Sequence, residues 1–216
     1  MEEKKELDET INFLIQVGKL KERKRRGWLA HKIKNPETTA SHIFRATLLA
    51  WVLARKKKGL NQEKVLKMAL IHDLCEVHTK DETPYDPLLP NNLQQNREKV
   101  EKVLDKWPNF TLKQKREKIL KKYKREFRSL KKLVSGLPQD LKEEIINLWR
   151  EFENGLSEEG RFVRQIDKAE NYLQGMEYWK RYGKIRQKLW ARWAKEIFDD
   201  PVIIKFFRAL DDKLIK

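Results

Sequence analysis

An all-α fold is predicted for this chain by three observations. Apolar residues recur at three- and four-residue spacing through most of its length, few segments alternate apolar and polar as strands do, and Pro84, Pro87 and Pro90 gather in one short break. At 216 residues the chain is long enough for one substantial core, and a single domain is the default.

Taken in order, Leu7, Ile11, Leu14 and Val17 recur at helical spacing near the amino end. A basic run over 19–34 contains Arg26, Gly27 and Trp28. Pro36, Glu37, Thr38, Thr39, Ala40, Ser41 and His42 then lead into an apolar run over 43–54, so His42 belongs to the first turns of a helix on which Phe44, Leu48, Trp51 and Val52 recur. Gly59 is expected to stop that helix and Asn61 to cap the next, which carries Val65, Ala69, Leu70 and Leu74. The segment 81–92 must be a loop, because each of its prolines fixes φ and lacks a backbone donor. Glu76 then falls near the end of the preceding helix and Asp81 in the loop beside it. Later helices are predicted at 92–106, 111–133, 139–153, 157–182, 185–198 and 201–215, with no internal repeat.

Composition bounds the function. Cys75 is the only cysteine, so no internal disulfide forms and a reducing, cytoplasmic setting is expected. The acidic start MEEKKELDETINF lacks the basic and apolar regions of a signal peptide, and no apolar run is long enough to span a bilayer. The net charge of +16 is concentrated: residues 97–132 hold 15 Lys or Arg against 5 Asp or Glu. Such a stretch is read as a solvated helix face with paired charges, with nucleic-acid contact and steering of anionic nucleotides as the alternatives.

The chemical signal is His72-Asp73 inside the apolar stretch 66–77, with Glu76 one turn on. Burying an imidazole and a carboxylate there requires a compensating partner, either a plain His–Asp hydrogen bond or a metal. His42, and Asp167 among the apolar residues of a later helix, enlarge the set. Two imidazoles and two carboxylates suit one divalent transition metal (Mn, Co, Fe, Ni or Zn) better than Mg or Ca.

The order of these segments resembles the HD-domain metal-dependent phosphohydrolases, specifically the 5′-deoxynucleotidase branch. Arg26-Gly27-Trp28, PETTASH, ALIHDLCE followed by Asp81, Leu137-Pro138 through Trp149, and FVRQIDKAENYLQGMEY stand in the family order over most of 11–182. The resemblance implies a helical bundle forming a single HD domain over 1–216. Its core would lie at about 11–182, with a basic helical insertion at about 91–133 and a C-terminal helical extension at about 184–216. It implies hydrolysis of deoxyribonucleoside 5′-monophosphates by a water that a metal on His42, His72, Asp73 and Asp167 activates. Glu76 is the implied acid/base, Asp81 the acceptor for the sugar 3′-hydroxyl, Arg26 the phosphate clamp and Trp28 the wall that excludes a 2′-hydroxyl, with Arg25 competing for the Arg26 role. A homodimer is the family expectation.

The chain departs from the pattern at Lys80, where family members commonly carry Gly, and at His78, which is exposed or an added ligand. His31 is expected at the surface or the pocket rim, and Glu37 to begin a helix or orient His42. Trp190, Trp193, Ile197, Phe198, Ile203, Phe206 and Phe207 form an apolar set that the resemblance does not cover; most should pack on the domain, with burial of a dimer contact as the alternative for some. The alternative functions are another nucleotide phosphohydrolase or pyrophosphohydrolase on the same metal, and a basic module that binds nucleic acid.

Overall fold

A computed structural model describes residues 2–83, 85–106, 108 and 110–214. Among the described residues it contains ten α-helices and no strand. The helices are α1 (Glu2–Gly18), α2 (Arg26–Ala30), α3 (Thr39–Ala54), α4 (Gln62–Ile71), α5 (Arg97–Leu104), α6 (Leu112–Leu133), α7 (Gln139–Asn154), α8 (Glu158–Tyr182), α9 (Gln187–Ile197) and α10 (Pro201–Leu214). Short 3₁₀ turns cover Lys19–Lys21 and Leu74–Val77. The fold class is thus all-α, as the periodicity predicts.

Local chemistry sets most boundaries. Asn61, Thr111 and Ser157 each accept a backbone N–H at the start of their helices, and Thr111 with Gln114 completes a reciprocal capping box. Gly155 and Gly183 close α7 and α8 at φ 58° and 64°, a left-handed conformation that costs glycine little. The helix predicted from residue 92 starts only at Arg97, because Asn92 spends its side chain on a turn, accepting from Gln94 and Gln95 N–H. The helix predicted from residue 185 starts at Gln187, and α3 ends at Ala54, before Gly59. Pro84 and Ile215 lie outside the described residues; Pro87 and Pro90 fall in turns or irregular backbone.

The long helix α8 is the central support, packing against α3, α4, α7, α9 and α10. Its Phe162, Ile166, Tyr172 and Met176 meet Met68 of α4, Trp149 of α7 and Ile203 of α10, all essentially inaccessible to solvent. Removing one of these large side chains costs about 2–5 kcal/mol through lost transfer energy and the cavity left behind. The C-terminal apolar set does pack on the domain: Phe198, Ile203 and Phe207 are buried, and Trp190, Trp193, Ile197 and Phe206 are partly buried against the core. A smaller cluster of Ala30, Tyr85, Leu89, Val100 and Leu104 joins α2 to α5 and the loop between α4 and α5.

Two apolar stripes face outward. Leu7, Ile11, Leu14 and Ile15 on α1, and Phe44, Leu48, Trp51 and Val52 on α3, are 41–66% exposed. Helical periodicity identifies an apolar face; it does not say what covers it.

Candidate active site

Three helices bring His42, His72, Asp73 and Asp167 together. Thr38 caps α3 by accepting the Ser41 N–H, and the turn that follows points a fully buried His42 inward. Helix α4 stops at Ile71, with His72 as its C-cap and Asp73 at φ −106°, ψ 11° outside the helical region. In an unbroken helix, consecutive side chains diverge by about 100°; the break lets His72 and Asp73 face one point. Asp167 reaches it from α8. His42 Nε2 lies 3.1 Å from Asp167 Oδ1 and 3.2 Å from His72 Nε2, and Asp73 Oδ2 lies 3.4 Å from His72 Nε2 and 3.8 Å from His42 Nε2.

The other ring nitrogens point outward. His72 Nδ1–H donates to the Ala69 carbonyl at 2.8 Å, and His42 Nδ1 meets the Glu170 carboxylate, which Arg45 Nε holds at 2.8 Å. Each imidazole is thereby oriented with Nε2 toward the shared point, the arrangement that a metal-binding histidine requires. Glu170 sits one turn after Asp167 in a charged helix, and nothing in its sequence context distinguished it. Burial and the charge of Arg25 oppose a proton on His42, but Glu170 and Asp167 push its pKa up to about 10. Burial opposes the charge on Asp167, but His42 and then His72 hold its carboxyl below the usual range. These groups therefore favour a positive charge at their centre, and the nitrogen and oxygen donors spaced as above fit one divalent transition metal.

A cavity of about 330 Å³ opens from this centre. Asp73 and Asp167 face it with side chains 19% and 25% exposed, alongside Glu76, Asp81, Lys122, Lys168 and Asn171. Glu76 is 5% exposed, and its Oε2 accepts the Thr39 hydroxyl at 2.8 Å. Burial, then the charges of Asp73 and Asp81, raise its pKa well above the usual carboxylate range. Asp81 Oδ2 accepts the Arg26 N–H at 2.7 Å, which fixes the carboxylate and leaves Oδ1 3.9 Å from Arg25 Nη1.

The guanidinium in the cavity is that of Arg25, so the expectation for Arg26 is corrected. Arg25 Nη1 donates to Asp73 Oδ2 and Nη2 to Asn171 Oδ1, each at 3.0 Å. Burial disfavours its charge, but Asp81, Asp73, Glu76 and Asp167 raise its pKa well above the usual value. Arg26 is turned away because Asp86 in the loop pairs with its Nε. Adjacent residues entering a short helix point in different directions, and Asp86 is distant enough in sequence that no local pattern announces the pairing.

Trp28 is 3% exposed and lines the cavity, held by Nε1–H donation to Glu37 Oε1 at 2.9 Å. Its ring stacks on Trp190 with centroids 5.2 Å apart and meets Tyr178 edge-on. A side chain at Gly175 would press on this stack, its Cβ only 3.1 Å from the Trp190 ring. Glu37 therefore orients Trp28, and Glu170 rather than Glu37 orients His42. His31, expected at the surface or rim, is 4% exposed and lines the cavity. His78 is half-buried away from the four converging side chains, and Lys80 is exposed.

Burial, then the charge of Arg186, lowers the His31 pKa to about 4 from the ordinary 6.5. The unfolded chain takes up this proton near 6.5, whereas the folded protein resists it until about 4. The His31 contribution is thus fully present above the unfolded value and lost as pH falls toward the folded one, by about 3 kcal/mol. His31→Gln is expected to flatten that part of the decline. Urea denaturation of both proteins between about pH 4.5 and 7.5 checks this, and parallel stability curves would reject it.

An HD domain family model matches residues 17–197. The mouse (Mus musculus) 5′-deoxynucleotidase HDDC2 is 32% identical over 168 residues, covering 78% of this chain and 69% of the mouse protein. A conserved hypothetical protein from Pyrococcus furiosus superposes with a TM-score of 0.63 at 25% identity, over 94% of this chain and 99% of that one. A predicted metal-dependent phosphohydrolase from Magnetospirillum magnetotacticum shares the fold at 20% identity, with a TM-score of 0.61 over 97% of this chain and 93% of its own.

Proposed function

The chain belongs to the HD domain family, and from that premise we propose that it is a metal-dependent 5′-deoxynucleotidase, releasing phosphate from deoxyribonucleoside 5′-monophosphates. The observation that carries this reading is the convergence of His42, His72, Asp73 and Asp167 at one end of a cavity that also holds Arg25, Glu76, Asp81 and Trp28. Similarity to 5′-deoxynucleotidases of animals and yeasts supports the same substrate class.

When bound by the two histidines and two aspartates, Mn, Co, Fe, Ni or Zn supplies Lewis acidity to a phosphoryl oxygen and makes water nucleophilic near neutral pH. Arg25, braced by Asp73 and Asn171, presents its remaining guanidinium donors to the phosphate. Glu76, whose pKa burial and its acidic neighbours raise, is the group placed to give a proton to the 5′-oxygen as the bond to phosphorus breaks. Asp81 accepts the 3′-hydroxyl, and Trp28, locked by Glu37 and Trp190, leaves no room for a 2′-hydroxyl. The products are a deoxyribonucleoside and inorganic phosphate.

The exposed stripes of α1 and α3 fit coverage by a second copy of the chain, so a homodimer is our reading of the assembly. The free, buried Cys75 fits a reducing compartment, and the cytoplasm is our reading of its location. Among the described residues, no helix is long and apolar enough to cross a membrane. A role in nucleic-acid binding is not favoured: the basic residues of α6 include Lys122, which faces the cavity, and Arg125, paired with Glu82.

Phosphate release from ribo- and deoxyribonucleoside mono-, di- and triphosphates with Mn, Co, Mg and Zn tests this reading. Deoxyribonucleoside monophosphates are expected to lead with a transition metal, and Trp28→Ala should narrow the ratio of dAMP to AMP in kcat/KM. Asp81→Ala should instead weaken both, because a lost sugar hydrogen bond penalises each alike. Preferred release from di- or triphosphates would overturn the assignment. An unchanged dAMP-to-AMP ratio in Trp28→Ala would overturn the role of that ring.

A further inference from the structure

Two buried polar atoms that nothing in the fold satisfies belong to residues lining the cavity. Trp190 Nε1 and His31 Nδ1 have no hydrogen-bond partner among the described residues, although both side chains line the cavity. Buried polar atoms are nearly always paired, so two orphans on neighbouring residues of one cavity lining call for a ligand. They are also complementary. The indole N–H can only donate. The His31 ring is neutral near pH 7, so Nδ1 serves as an acceptor when the other ring nitrogen carries the proton. The two ring centroids are 6.3 Å apart.

The surroundings are planar and apolar. Trp193, Tyr85 and Leu104 line the same cavity. Trp190 is seated on the bare backbone of Gly175 and stacked on Trp28, so its indole is held in one orientation. A fixed donor and an acceptor in an aromatic slot match the edge of a heterocycle that carries an acceptor and a donor side by side.

Resting on the deoxynucleotidase reading, we propose that Trp190 and His31 form a nucleobase-edge site, in which Trp190 Nε1–H donates to a ring nitrogen or carbonyl oxygen of the base and His31 Nδ1 accepts from its amino or imino N–H. Adenine, guanine, cytosine and thymine all present such a pair. The site therefore requires a hydrogen-bonding base without choosing strongly among the four. It makes the base, and not only the sugar and phosphate, part of what the protein recognises.

The test uses the metal-loaded full chain and dAMP analogues that lack one edge atom. The purine 2′-deoxyriboside 5′-monophosphate lacks the 6-amino group that would face His31; the 1-deaza and 7-deaza analogues of dAMP each lack one ring acceptor that could face Trp190. Removing the 6-amino group, and removing one of the two ring acceptors, should each lower kcat/KM by on the order of tenfold or more, chiefly through KM. In His31→Phe the penalty for losing the amino group should collapse toward one, and in Trp190→Phe the penalty for losing the acceptor should do the same. Dissociation constants of the same compounds for Glu76→Gln should follow the same pattern without turnover, and circular dichroism with metal content establishes that each variant is folded and loaded. Equal kcat/KM for dAMP and all three analogues would overturn the base-edge site while leaving the deoxynucleotidase reading intact. Penalties that persist undiminished in both variants would also overturn it. Failure of every deoxynucleotide to release phosphate in the wild-type protein would instead overturn the reading on which it rests.

Discussion

Asp73→Ala is expected to remove bound metal and activity together, with phosphate release from dAMP falling to background. Asp73 supplies a carboxylate 3.4 Å from His72 Nε2 and also holds Arg25 at 3.0 Å. One substitution thus removes a metal ligand and frees the guanidinium proposed to bind phosphate. The fold should survive, because Asp73 lies at the break after α4, outside the main packed core, and its side chain is partly exposed to the cavity. Asp73→Asn provides a second reading with almost no change in size: a neutral amide binds a transition metal weakly, so metal content should fall while helical content is kept. Metal analysis and circular dichroism on the purified variants check both statements. Full metal occupancy in Asp73→Ala would remove Asp73 from the ligand set.

Glu76→Gln is expected to keep the metal and the bound nucleotide but lose turnover by a factor on the order of 10² or more, the usual scale for a missing acid/base group. The glutamine matches the shape of Glu76 and can still accept the Thr39 hydroxyl that now lies 2.8 Å from Oε2. What it cannot do is transfer a proton, the role for which burial and the charges of Asp73 and Asp81 raise the pKa of Glu76. The loss should therefore appear in kcat, with KM for dAMP little changed. Single-turnover rates combined with a dissociation constant for dAMP separate the two. Near-normal turnover would make Glu76 a structural carboxylate bonded to Thr39.

The elements proved more legible in the sequence than their surroundings. Asn61 before α4 was readable because a cap acts on backbone two or three residues away. His72 and Asp73 stood out because charged groups inside an apolar run need a local explanation. The place of Arg25 was not readable in the same way: Arg25 and Arg26 are chemically identical neighbours, and the choice between them depends on Asp86, Asp73 and Asn171. His31 looked like a rim residue until α9 brought Trp190 beside it. Phe44, Leu48, Trp51 and Val52 had a visible helical period, yet they face outward because the opposite face of α3 meets α4 and α8.

By itself, the sequence determined the helical class, most helix boundaries, the residue types of a nitrogen-and-oxygen metal set and the family to which their order belongs. Those signals depend on interactions within a few residues of chain or on the order of short motifs, both of which survive in one dimension. Only the tertiary structure decided which arginine enters the cavity, that Glu170 orients His42, that Glu37 anchors Trp28, and that Trp190 and His31 line one cavity with two unpaired atoms. Each of those depends on contacts between helices separated in the chain, where side-chain direction, burial and the charge of distant neighbours act together, and no local pattern of residues encodes that sum.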